Sequence, residues 1–264
     1  MKSHAIILGA VLAGALTGAP AVAVTREEAT IENSMVVLRE LQAMPDLRIP
    51  DQLLARAEGI VILPANVKVG LIFGARFGNG VLLVRNANRD WSNPVFVTTG
   101  GGSWGFQAGG QVADIVLVLT TRRSIEGITD GKLTLGGDAS VAAGPIGRTA
   151  MASTSLTFDS EVYAYSRTKG LFAGISLEGN GIFIGRKANR RFYEGEESAT
   201  AIMAQTKAPP PPADELVAEI RRITSGARRT IEDAKPATEA PPAERPTEAR
   251  TYPLPDPQPG KEPN

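Results

Sequence analysis

The side chains able to do chemistry are few, and the gaps among them exclude more than the residues include. Histidine occurs once, as His4, and cysteine does not occur. Ser-His-Asp catalysis, thiolate nucleophiles, disulfides and His- or Cys-based zinc sites therefore lack their groups. An enzyme built on this chain has to rely on carboxylates, Lys, Tyr or Ser. Asp114, Asp138 and Asp159 are the acids nearest the glycine-rich centre, and Tyr163 and Tyr165 follow. Catalysis there requires a concave pocket with perturbed carboxylates, and no partner for Asp114 can be identified by spacing. A half-buried acid at the start of an apolar strand more often accepts from backbone N–H groups, so a structural Asp114 is expected. Gly100, Gly102 and Gly105 spell G-x-G-x-x-G. The dinucleotide fingerprint needs a helix next, whereas Gly109, Gly110 and a strand follow. No cofactor, no metal and no enzymatic activity are expected.

The cations are more suggestive. Arg122, Arg123, Arg148, Arg167, Lys169, Arg186, Lys187, Arg190 and Arg191 fall at strand ends and loops. On one edge they would make a phosphate-reading patch, with guanidinium groups engaging headgroups in bidentate fashion. Scattered, they are an ordinary solvated surface. The net charge is +0, so no global field points to nucleic acid.

The elements that must position these residues read as follows. Residues 1–23 carry Lys2, an apolar run from Ala5 to Thr17, and Ala21-Val22-Ala23, which fits a secretory signal peptide cut after Ala23. An uncleaved anchor is the alternative; either way the body lies outside the cytoplasm, in the periplasm or envelope. Thr25 and Glu28 form a capping box, followed by Ile31, Met35 and Leu38 at helical spacing. That helix either packs its stripe on the core or inserts into a membrane. A short helix spans 51–58, then a strand over Ile60 to Leu63 stopped by Pro64. Six glycines between Gly100 and Gly110 are too many for a helix, since each costs about 1 kcal/mol there. The run Ile115 to Leu119 is apolar at every position and reads as a strand buried on both faces.

An internal repeat links two halves. Gly70 to Phe77, Gly78-Asn79-Gly80, Val81 to Arg85 and Ala87-Asn88-Arg89 recur as Gly170 to Leu177, Gly179-Asn180-Gly181, Ile182 to Arg186 and Ala188-Asn189-Arg190. Asn-Gly between apolar runs predicts two matching hairpins. The fold class expected is α+β: a glycine-rich antiparallel sheet or barrel-like body with pseudo-repeated hairpins, packed by N-terminal helices and a closing helix at 196–206. The domain spans 24–207. From 208 to 264 prolines mark a disordered tail with a short helix at 214–234, whose Leu216, Ile220, Ile223, Ala227 and Ile231 share one face. That helix is either interfacial, touching lipid or a partner, or simply solvated.

The stretch WGFQAGGQVADIVLVLTT resembles the signature of the SYLF domain, also called Ysc84 or DUF500. Ala57 to Pro64, Trp91-Ser92-Asn93-Pro94, Leu135-Gly136-Gly137-Asp138, Gly144-Pro145 and Gly170 to Gly179 extend the likeness over roughly residues 30–205. The resemblance implies a lipid-binding domain, because eukaryotic SYLF domains bind phosphoinositides and some bind actin. An exported bacterial member would meet neither in its own cell, so anionic lipid or the envelope membrane is the partner carried over, and actin is not. The leading expectation is a non-enzymatic lipid-binding protein of the bacterial envelope. The alternative is a structural or protein-interaction module that uses the Pro-rich tail.

Overall fold

The computed structural model describes residues 24–44, 48–70, 73–104, 109–131, 133–145, 158–168, 171–173 and 179–234. The 1–23 segment, Arg148, Lys169 and the 235–264 part of the tail lie outside them. Within this set the fold is α+β, as expected. Helices α1 (Arg26–Ala43) and α2 (Asp51–Arg56) precede strands β1 (Gly59–Gly70), β2 (Phe73–Val84), β3 (Val95–Trp104) and β4 (Gly109–Leu119). Helix α3 (Arg122–Thr129) leads to β5 (Val141–Ala143), β6 (Val162–Thr168), β7 (Leu171–Ala173) and β8 (Asn180–Ile184). Helices α4 (Arg186–Phe192), α5 (Ala199–Ala204) and α6 (Ala213–Ala234) complete it. The strands make one curled sheet in the order β5-β6-β4-β1-β2-β3-β8, with β7 also on β6. All pairings are antiparallel except β5 with β6.

Local chemistry explains the helix starts. Thr25 Oγ1 accepts from the Glu28 N–H at 3.1 Å while Glu28 accepts from the Thr25 N–H at 2.7 Å, which is the capping box. Thr121 caps α3 with a single bond, its side chain accepting from the Ser124 N–H.

Packing divides the sheet by parity. On one face Ile60, Ile62, Val81, Leu83, Phe96, Val116, Val118, Tyr163 and Tyr165 meet α1, α2 and α6. On the other, Val61, Leu82, Val97, Ile115, Leu117 and Leu119 meet Ile125 and Ile128 of α3, with Leu133 and Leu135. The run Ile115–Leu119 is thus buried on both sides, every residue at 0% exposure, as its unbroken apolar sequence required.

Several expectations need correction. Gly78-Asn79-Gly80 is not a hairpin turn: β2 runs straight through it, paired with β3 from Phe73 to Leu82. The glycine is needed for close approach, since a Cβ on Gly80 would stand 1.9 Å from the Ile62 carbonyl oxygen. Gly100 to Gly102 of the glycine cluster likewise lie within β3. Nor do the two halves of the repeat match, because β7 pairs with β6 while β8 pairs with β3 at the far edge. The shared Ala-Asn-Arg ending is a turn at Arg89 and part of helix α4 at Arg190.

Pro64 does not stop β1. The strand absorbs Pro64 and Ala65 as a bulge between Ile62 and Val67, with Ala65 at φ 50. Asp114 Oδ1 accepts the Ala65 N–H at 3.0 Å and holds the bulge. One extra residue inverts parity. Before it, Ile60 and Ile62 face the helices; after it, Val67 and Val69 do, while Lys68 turns to the opposite face with Arg76 and Gln111.

The helix at 213–234 forms, but it belongs to the packed core and not to a tail. Ala213, Leu216, Val217, Ile220, Ile223 and Ala227 are buried in the helix-side cluster. Trp91 Nε1 donates to Thr224 Oγ1 at 2.9 Å, and Arg221 pairs with Asp90 at 2.7 Å. Leu216, Ile220, Ile223 and Ala227 of the stripe form the buried face, while the burial of Ile231 lies outside the described residues; the partner surface, α2 and Trp91, is distant in sequence.

Candidate functional site

Asp114 sits between the bulge and Arg167, whose Nε and second terminal nitrogen donate to it at 2.9 and 2.6 Å. Arg167 also pairs with Glu40 of α1. This carboxylate is therefore a brace, as its position suggested, and Arg167 is committed to holding α1 against β4 and β6. Tyr165 lies in the core, and burial, with Tyr163 beside it, pushes its phenol far above the ordinary range. It stays protonated at neutral pH, and its hydroxyl donates to Pro145 O at 3.4 Å. Among the described residues no group of three or more His, Cys, Asp or Glu could hold a metal.

The remaining candidate cations are distributed as follows. Arg122 pairs with Glu58 at 2.8 Å and Arg123 is exposed beside it on α3. Arg190 pairs with Glu197. Arg186 and Lys187 stand at the start of α4, after β8, next to β3. Arg122 and Arg123 follow the end of β4, three strands from β3 in the sheet order. The residues named from sequence thus do not make one patch among the described residues.

One cleft does gather cations. It has a volume of ≈ 360 Å³ and lies between the first turns of α1, the helix-side face of β2 and β3, and α4. Arg26 and Thr30 line one wall, Asn79, Phe96 and Thr98 the floor, and Arg186, Lys187 and Arg191 the other wall. The walls are held in place by polar contacts and ring packing. Asn189, fully buried, accepts the Phe96 N–H at 2.8 Å and fastens α4 to β3. Arg191 Nε donates to the buried Glu27 at 2.9 Å, which fastens α4 to α1. Phe192 packs edge-on against Phe96 with centroids 5.3 Å apart. Arg26, Arg186 and Lys187 are exposed and form no ion pair with any described residue. Three cations left without acids around a concavity can receive an anionic group such as a phosphate.

Arg26 was missed in the sequence because it stands 160 residues from Arg186. A signal existed: a cation in the first turn of a helix opposes the helix dipole and needs another reason to be there. No helix among the described residues is long and apolar enough to cross a membrane, which says nothing of strands.

A curled single sheet, helices on both faces and a braced cationic cleft define an α+β domain whose described acids serve mainly as braces. Comparison with known proteins then gives the family. The description "Ysc84: Las17-binding protein actin regulator" matches residues 100–223. The chain is 39% identical over 174 residues to "LAS seventeen-binding protein 3" of Saccharomyces cerevisiae, covering 65% of this chain and 38% of that protein. It is 35% identical over 204 residues to "SH3 domain-containing YSC84-like protein 1" of Bos taurus, covering 74% of this chain and 60% of that protein. The chain belongs to the Ysc84 family, whose domain is the SYLF domain of the resemblance. The chain spans 38% of the length of the yeast relative it matches. The family description and the yeast relative are named for binding and regulation, not for catalysis.

Proposed function

We propose that this chain is a non-enzymatic binding protein of the bacterial cell envelope, exported by residues 1–23, that recognises anionic lipid. The observation carrying this reading is the convergence of Arg26, Arg186 and Lys187 on one braced cleft without acid partners. Phosphate-bearing headgroups supply the missing negative charge, and the interaction weakens with salt. Co-sedimentation of the purified chain with phosphatidylglycerol vesicles tests it. Binding at low salt, reduced several-fold in the Arg186→Glu/Lys187→Glu variant, is the expected result. Equal binding to pure phosphatidylcholine, or none to either, overturns it.

A second reading, a protein-interaction module, is favoured by the family description, which names Las17 binding and actin regulation. On this reading the chain takes a protein ligand through the same domain, and actin, which the sequence alone gave reason to set aside, returns as a candidate. Co-sedimentation with filamentous actin in the absence of lipid separates the two.

A further inference from the structure

Beyond the core, β1, β2, β3 and β4 continue as a glycine-rich extension whose two faces differ. Register assigns the faces. Phe77 pairs with Gly100 of β3 and with Val67 of β1; Val67 pairs in turn with Val112 of β4. Val69 pairs with Gly110, and Phe183 of β8 with Thr98. All of these lie on the helix-side face, since β2, β3, β4 and β8 keep unbroken alternation from core residues Val81, Phe96, Val116 and Ile182. The opposite face carries Lys68, Arg76, Gln111 and Thr99.

Among the described residues no helix covers this apolar face. Val69, Phe77, Val112 and Phe183 are 43%, 52%, 55% and 44% exposed, and they account for four of the six large hydrophobics exposed to this degree among the described residues. Contiguous exposed apolar area of this kind marks an interaction site. The face also joins the cationic cleft. Asn79 and Thr98 form the cleft floor; Phe77 is the next residue on the same face of β2, and Phe183 is the partner of Thr98. Arg26, Arg186 and Lys187 therefore border the apolar strip on one side.

We infer that this face is a bilayer-docking platform: Phe77, Phe183, Val69 and Val112 enter the interfacial region of an anionic membrane while Arg26, Arg186 and Lys187 meet lipid phosphates at its margin. The inference rests on the lipid reading above and adds the face and its depth. Charge selects the occupant. An apolar strip flanked by unpaired cations complements a surface that is apolar below and anionic above. A second copy docked face to face would leave the cations of both copies without acids. The bulge at Pro64-Ala65 is what makes the platform, because without its parity change Lys68 would lie in the strip in place of Val67 and Val69.

The absence of cysteine makes the test direct, since one introduced thiol is a unique labelling site. Val112→Cys and Gln111→Cys in the full chain, each carrying the environment-sensitive dye NBD, place probes on opposite faces of the same strand. On adding phosphatidylglycerol vesicles, the label at 112 is expected to shift to the blue with a several-fold gain in intensity, and the label at 111 to stay as in buffer. Phe77→Ser/Phe183→Ser is expected to weaken vesicle binding about tenfold, with an unchanged thermal transition showing that it folds. If vesicles bind the chain and both labels respond alike or neither responds, the platform is wrong and the lipid reading stands. If unlabelled chain does not bind vesicles, the lipid reading itself falls. A label at 112 that is already blue-shifted without vesicles overturns the inference in favour of a covering segment or, where the shift depends on concentration, a second copy.

Discussion

The same four strands form two regions of opposite character. In the core half, Ile60 to Leu63, Val81 to Val84, Val95 to Val97 and Ile115 to Leu119 are shielded on both faces. In the extension, Val67 to Val69, Ala75 to Asn79, Gly100 to Gly102 and Gly110 to Val112 are paired in the same sheet but have little cover. Backbone pairing runs through both regions, interrupted at the β1 bulge, so the presence of a ladder does not distinguish them. Side-chain burial does, and it makes the first region the source of stability and the second a surface free to serve recognition.

The widest gap between the two regions should come from removing cover. Ending the chain after Lys207 deletes α6 and exposes the core partners of Leu216, Val217, Ile220 and Ile223. At roughly 1.5–3 kcal/mol per buried side chain, the loss reaches the whole stability of a typical domain. The expected outcome is loss of a cooperative urea transition; a transition equal to that of the full chain would show that α6 is dispensable to the core. Next in size, Leu117→Ala is expected to cost about 2–5 kcal/mol, while Val112→Ala on the same strand stays within about 0.5 kcal/mol. Equal effects in urea melts would erase the distinction between core and extension.

Glycines sharpen the contrast at smaller scale. Gly80→Ala drives a Cβ into the Ile62 carbonyl and should cost about 1–3 kcal/mol or more. Gly110→Ala, whose nearest neighbour would be Val69 Cγ1 at 4.0 Å, should be close to neutral by the same melts. The smallest effect concerns pH. Hydrogen bonds from Arg221 hold the Asp90 carboxyl below its ordinary value. A lowered folded-state pKa gives stability that is present above the unfolded value of 3.8 and is lost as pH falls through the folded value. With both partners half exposed, the contribution is at most about 1 kcal/mol. Asp90→Asn should lower stability at neutral pH by up to that amount, leave it nearly unchanged well below the unfolded value of 3.8, and so flatten the acid limb.

Legibility in the sequence followed the range of the interactions. The capping box at Thr25 and Glu28 is settled within four residues and was readable. So was the doubly buried strand at Ile115 to Leu119, because burial on both faces leaves no polar alternation. The stripe Leu216, Ile220, Ile223, Ala227 was readable as a helix face, but not as core, since its partners lie at Leu53, Leu54 and Trp91. Gly78-Asn79-Gly80 misled because Asn-Gly serves a turn and a tight strand crossing equally well, and only the approach of Ile62 decides between them. The cations behaved alike. Arg167 looked available until Asp114 and Glu40 claimed it, and Arg26 looked incidental until α1 set it opposite Arg186 and Lys187.

Sequence alone determined the lack of Cys chemistry and the restriction of histidine to His4, the α+β class, and the helix and strand periodicities, because these depend on composition and on neighbours within a turn or a pleat. The tertiary structure decided where the bulge at Ala65 inverts β1, which cations keep their charge unpaired, and which apolar residues stay outside. Those outcomes depend on contacts between residues tens to more than a hundred positions apart, and no local pattern encodes them.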